Sequence, residues 1–176
     1  MLLRKINAVL SLTVTVLLLD HAIMNAIWML SFGSIAKALD FMPWVLTGAC
    51  VAHAFISIDI AISGIVNGEC FKYKNYVRLN ARTVVQRVSG ILLIIFAALH
   101  IAGTFGGMKP PAAVHAVLPP LFFAVTLMHI AASGGRAFIT LGIGNARAIR
   151  VIDIVIKVIC GATLIADVTG FYLYLA

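Results

Sequence analysis

The sequence predicts an all-α protein, an integral membrane bundle of five transmembrane helices. Three observations carry this. The 176-residue chain is 62% hydrophobic and only 11% charged, with a mean hydropathy of +1.10. A domain of this length leaves a large share of its surface outside its core, so it has no way to hide that much apolar surface from water. The apolar residues run in five long segments, approximately 6–32, 41–66, 84–104, 112–134 and 151–175, each reaching the roughly 20 residues that cross about 30 Å of hydrocarbon. The basic residues are also one-sided. Arg4, Lys5, Lys72, Lys74, Arg78, Arg82, Arg87, Arg136, Arg147, Arg150 and Lys157 fall at or near one side of these segments, and only Lys37 and Lys109 on the other.

Taken in order, the first segment follows Arg4 and Lys5 and has the look of a signal peptide. It runs too long, however, and no small-x-small cleavage pattern closes it early, so it reads as a retained helix. The fourth contains Pro119-Pro120, which would kink it or mark its true start, while Gly134-Gly135-Arg136 need not end it. The short connections make successive helices antiparallel neighbours within one domain, 1–176. The basic asymmetry puts the N-terminus in the cytoplasm and the C-terminus outside, in the inner (cytoplasmic) membrane of a cell. The net charge of +7 is then mostly topology. It is split among helix ends with no aromatic-interleaved basic surface, which argues against nucleic acid, whereas the same face suits a soluble partner or anionic lipid. Cys50, Cys70 and Cys160 form no CxxC or CxxCH pattern, so neither covalent haem attachment nor a cysteine-built zinc site is expected.

His21, His53, His100 and His129 lie one per segment in the first four segments, well inside the apolar runs. An ionisable residue there is costly and points to function. Neutral imidazole is a common axial ligand of haem iron, and four helices form a cage of the right size, so the four histidines are candidate ligands of two b-type haems in a four-helix bundle. Ala49, Ala52 and Ala54 flank His53; Ala97, Ala98 and Ala102 flank His100; Ala131 and Ala132 follow His129; Gly48, Gly90 and Gly103 add room. Small residues also serve ordinary helix packing in membranes. The other ring nitrogen of each histidine has a carbonyl four residues earlier (Leu17, Ala49, Phe96, Val125) as a possible acceptor. Two ligands gripping one iron need the diagonal gap of a bundle, and in an up-down arrangement the diagonals join helices one and three, and two and four. That pairs His21 with His100 and His53 with His129. Depth counted from the segment ends separates His100 from His129 but slightly favours exchanging His21 and His53. His115 falls at the outer start of the fourth segment, near water.

The stretch from Asn75 to His100, NYVRLNARTVVQRVSGILLIIFAALH, resembles the third-helix signature of the dihaem cytochrome b membrane anchor of succinate:quinone and quinol:fumarate reductases, most specifically in Gln86-Arg87-Val88-Ser89-Gly90 with Phe96 and His100. Leu19-Asp20-His21 followed by Asn25, and His129 followed by Gly134 and Gly142-Ile143, resemble the same family. The resemblance covers all four histidine-bearing segments. It implies a proximal haem on His53 and His129, a distal haem on His21 and His100, and a flavoprotein and an iron–sulfur subunit docked on the cytoplasmic side. It further implies electron exchange with a quinone such as menaquinone, and assembly as a dimer of heterotrimers. The chain alone would not catalyse succinate or fumarate chemistry, having no flavin site.

Haem propionates need cationic or hydrogen-bonding partners, for which Gln86, Arg87, Arg136 and Lys157 are the inner candidates. Arg78 and Arg82 are expected to be docking or solvated charges. Asp20, Asp59 and Asp167 lie in apolar segments and either pair within the bundle or handle protons. A quinone site beside the distal haem would draw on the outer titratable residues Asp40 and His115, with Trp44 shaping an apolar wall. Two other readings stand beside this one: the cytochrome b subunit of another respiratory complex (hydrogenase or formate dehydrogenase type), and a non-redox small transporter or structural anchor.

Overall fold

A computed structural model describes residues 2–33, 42–66, 81–105, 107 and 111–175, with the side chains of 42, 65, 104, 105, 112, 113 and 115 left out of the description. The described residues form five helices, α1 (Leu2–Leu30), α2 (Met42–Val66), α3 (Ala81–Phe105), α4 (Ala112–Leu141) and α5 (Ala146–Leu175), and no strand. Four are long and apolar enough to cross a membrane, over Leu2–Leu30, Pro43–Gly64, Ala81–Gly103 and Ala116–Leu141, and this makes the chain a multi-pass membrane protein. α5 is equally long at 30 residues but carries Arg147, Arg150, Asp153, Lys157 and Asp167. Outward positions are apolar: Phe55 is 71% exposed, Ile165 70% and Ile91 63%, the pattern of a surface that meets hydrocarbon.

The helices exceed the apolar segments at several ends. α1 starts at Leu2, and α3 takes in Arg82, because Arg and Lys are good helix formers whose charged heads reach the interface. α4 runs through Gly134-Gly135 to Leu141. It stops where Gly142 takes a left-handed φ of 74°, with the Gly142 and Ile143 amides donating to Ile139 O and Phe138 O at 3.1 and 3.0 Å, a glycine-terminated helix end. Asn145 Oδ1 then accepts from the Ala148 amide at 2.9 Å and caps α5. Pro119 and Pro120 lie inside α4. Proline has no N–H, so Pro120 leaves Ala116 O without its helical donor, and Tyr172 Oη of α5 donates to that oxygen at 3.2 Å.

Cross-helix contacts fix the directions. Ser57 and Asn7 join α2 to α1, Ser89 and His129 join α3 to α4, and Gly135 with Asp153 and Ala116 with Tyr172 join α4 to α5. Each of these pairs runs antiparallel. Trp28 and Tyr174 (ring centroids 4.9 Å apart) join the C-terminal ends of α1 and α5, which are parallel. The closely packed pairs are α1–α2, α1–α4, α1–α5, α3–α4 and α4–α5. α2 therefore leans mainly on α1, and α3 mainly on α4.

The buried core sits at the junction of α1, α4 and α5, where Leu127, Ile130 and Cys160 are enclosed by Leu18, Leu19, Ala131, Ile156 and Leu164. Glycines set the closest approaches. A Cβ on Gly170 would meet Met29 Cβ at 3.3 Å and Ala26 O at 3.4 Å, and one on Gly134 would meet Ile156 Cδ1 at 2.7 Å. Small residues at such crossings let helices associate where no hydrophobic effect drives them together. The tight core thus lies among α1, α4 and α5, with α2 attached mainly through α1 and α3 through α4.

Candidate functional site

The cross-helix contacts turn residue numbers into depths. Ser89 on α3 stands opposite His129 on α4. His100 lies eleven residues further along α3 and packs against Phe122 of α4 (ring centroids 5.5 Å apart), so the two histidines sit about 16 Å apart along the helix axis. On the other side Asn7 of α1 faces Ser57 of α2. His53 is four residues outward from Ser57, and His21 fourteen outward from Asn7, giving a depth difference of about 15 Å. α5 relates the two halves. Gly134 lies against Ile156, and Ala26 against Gly170. On that scale His53 lies innermost, His129 about 9 Å further out, His21 about 6 Å beyond His129, and His100 outermost, about 10 Å beyond His21. The exchange that segment ends hinted at would leave His53 and His100 about 25 Å apart in depth, so the diagonal pairing has the smaller mismatch. Contacts between helices measure relative height, whereas segment ends include turns of unequal length.

The four histidines sit one each on α1, α2, α3 and α4. α1 and α4 touch, but neither α1 with α3 nor α2 with α4 is among the closely packed pairs. The pair α2–α3 is not among them either.

His129 is the most closely specified. Its Nδ1 lies 2.9 Å from Ser89 Oγ, and the Ser89 hydroxyl also contacts Val85 O at 2.6 Å and Gln86 O at 3.2 Å. A Cβ on Gly90 would come within 3.3 Å of His129 Cε1, so glycine lets α3 lie flat against the ring. The expected acceptor, Val125 O, is therefore not the partner: a hydroxyl on the neighbouring helix takes the nitrogen instead. His53 Nδ1 is buried and has no hydrogen-bond partner among the described residues, so Ala49 O does not serve it either. Buried polar atoms are nearly always satisfied, and an orphaned imidazole nitrogen marks a place held for something other than packing.

The inner end carries two polar clusters. Arg136, two turns below His129 on the same face of α4, donates to Gln86 Oε1 at 3.0 Å and to Thr83 Oγ1 at 2.6 Å. Arg87 is exposed on α3. Arg82 departs from the expected docking charge. It crosses to α4 and donates to Ala132 O at 2.7 Å and Ala131 O at 3.3 Å, and it pairs with Asp153 of α5. Lys157 bonds the other Asp153 oxygen at 2.7 Å, so it is engaged in this second cluster, away from Gln86. The glycine at 135 makes the crossing possible, since a Cβ there would meet Asp153 Oδ1 at 2.7 Å.

Among the acidic residues, Asp20 and Asp59 are exposed, whereas Asp167 is fully buried with neither carboxylate oxygen hydrogen-bonded among the described residues. Trp44 is 60% exposed at the start of α2. Asp40, Lys37, Lys72, Lys74, Arg78, Cys70 and Lys109 lie outside the described residues, as does the side chain of His115. In the sequence Ser89 and Gly90 stand out only as part of a motif, and Thr83 and Asp153 do not stand out at all. Their cross-helix partners lie 39 to 71 positions away, and no local spacing signals such contacts. The described residues contain no group of three or more histidine, cysteine or acidic side chains poised for a metal ion. Two single ligands on opposite helices would not form such a group. Comparison with known protein families, with curated proteins and with solved structures returned no match.

Proposed function

We propose that this chain is the dihaem cytochrome b membrane anchor of a succinate dehydrogenase or fumarate reductase complex, with five membrane spans. The observation that carries the reading is four histidines, one each on α1 to α4, staggered in depth with His53 innermost and His100 outermost. The orphaned His53 Nδ1 and the glycine approach at Gly90 fit a flat ligand gripped between imidazoles. When bound, b haems supply one-electron carriage between a soluble iron–sulfur partner and a membrane quinone.

The chain's own residues do the rest. His53 with His129, and His21 with His100, would each hold one haem. Arg136 stands about 10 Å from His129 along α4. With Gln86 and Thr83 fixing its guanidinium, it is the cation on the His129 face suited to an anionic substituent such as a propionate. Arg87 is the exposed cation on the same end. The inner basic residues Lys72, Lys74, Arg78, Arg147 and Arg150 form the docking face for the soluble subunits, in keeping with a cytoplasmic N-terminus. Arg82 is removed from that set because it is spent on α4 and α5. The quinone is placed at the outer side, near Asp40, Trp44 and His115.

A pyridine haemochrome assay of the purified chain tests the reading directly, and two haems b per chain are expected. One or none in a well-assembled complex overturns it. Co-purification of flavin- and iron–sulfur-bearing subunits distinguishes this complex from a hydrogenase- or formate dehydrogenase-type assembly.

A further inference from the structure

We propose that Ser89 is a positioning residue which fixes the tautomer of His129, holding the proton on Nδ1 and presenting a bare Nε2 to the iron. The inference rests on the haem-binding reading of His129. It follows from counting protons. A serine hydroxyl has one hydrogen and two lone pairs. Ser89 Oγ lies 2.6 Å from Val85 O, a separation two oxygens adopt only with a hydrogen between them. The hydroxyl proton therefore goes to Val85 O, the usual back-bond of a serine within a helix. With its proton committed, Ser89 Oγ meets His129 Nδ1 at 2.9 Å as an acceptor, so the ring nitrogen must be the donor. The opposite assignment would leave two unprotonated oxygens in contact at 2.6 Å. Ser89 is fully buried, so no water can take over its role.

The consequence is electronic as well as geometric. An imidazole that donates a hydrogen bond through one nitrogen is a stronger base at the other, and such partners orient and tune metal-ligating histidines. A more basic ligand favours the ferric state and lowers the reduction potential.

The test uses the full chain, with histidine labelled by 15N, in detergent at pH 8. In haem-depleted protein the His129 signals, identified by their loss in His129→Gln, should report Nδ1–H. Ser89→Ala should convert them towards Nε2–H, and Ser89→Thr, which keeps the hydroxyl, should not. In the haem-loaded chain, Ser89→Ala should raise the midpoint potential of one haem and leave the other unmoved, again with recovery in Ser89→Thr. An Nε2–H tautomer in the unsubstituted chain overturns the proposal, and so does a Ser89→Ala chain whose tautomer and potentials are unchanged. Should the chain bind no haem at all, the functional reading falls, but the 15N spectra still decide the tautomer.

Discussion

Arg82→Ala should loosen α5 from the bundle, and the structure gives the scale. The guanidinium donates to Ala132 O at 2.7 Å and more weakly to Ala131 O at 3.3 Å, and it pairs with Asp153. Its side chain is 37% exposed, against 16% for Asp153, so the pair lies between the dry and the solvated limits. Charge-assisted hydrogen bonds contribute about 1.5–3 kcal/mol when enclosed, and exposed ion pairs about 0–1 kcal/mol. About 1 kcal/mol for the ion pair and about 1–1.5 kcal/mol for the carbonyl bonds together give a loss of about 2–2.5 kcal/mol. Asp153 is not orphaned, because Lys157 stays at 2.7 Å, and the larger penalty for an abandoned buried charge is therefore avoided. Arg82→Lys should restore less than half, since a point charge cannot serve two carbonyls and a carboxylate at once. The assay is equilibrium unfolding in mixed micelles across the cycle of Arg82→Ala, Asp153→Asn and the double variant. A coupling of about 1 kcal/mol is expected. A loss below about 0.5 kcal/mol for Arg82→Ala, or strictly additive single effects, would refute the staple.

Other outcomes follow from the same geometry. Gly90→Leu should displace the His129 ring, because even a Cβ there stands 3.3 Å from Cε1; bound haem is expected to fall from two per chain to one, whereas Gly90→Ala should keep both. Asp167→Leu replaces a buried carboxyl that has no partner among the described residues with an apolar group of similar shape, and it should raise the thermal midpoint by an amount corresponding to about 1–3 kcal/mol; a lowered midpoint would mean that the carboxyl has a partner essential to the fold. Asp40→Asn and His115→Ala should each reduce quinone-linked turnover but spare turnover with an artificial carrier and leave haem content intact. Full quinone turnover in both would move that site to the inner edge near Arg87.

The sequence by itself determined the helical class, the apolar spans and the one-per-helix distribution of histidines. Those properties are local: about 20 apolar residues in a row need hydrocarbon and internally satisfied backbone wherever they sit. The ends of α4 were less legible. Pro119-Pro120 and Gly134-Gly135 are helix breakers in water, but here Tyr172 takes up Ala116 O, and Ile156 and Asp153 fill the glycine notches. Only tertiary structure decided the relative heights of the histidines, because height depends on which residues of different helices face each other. Arg82 was misjudged for the same cause. In the sequence it is one more cation at an interface, and what diverts it is a pair of carbonyls on α4 and a carboxylate on α5, 49 to 71 positions away. Ser89 likewise acquires its partner only when Gly90 lets α3 close on α4. A hydrophobic period reports which face of a helix is buried. The atom that meets it there is settled by packing.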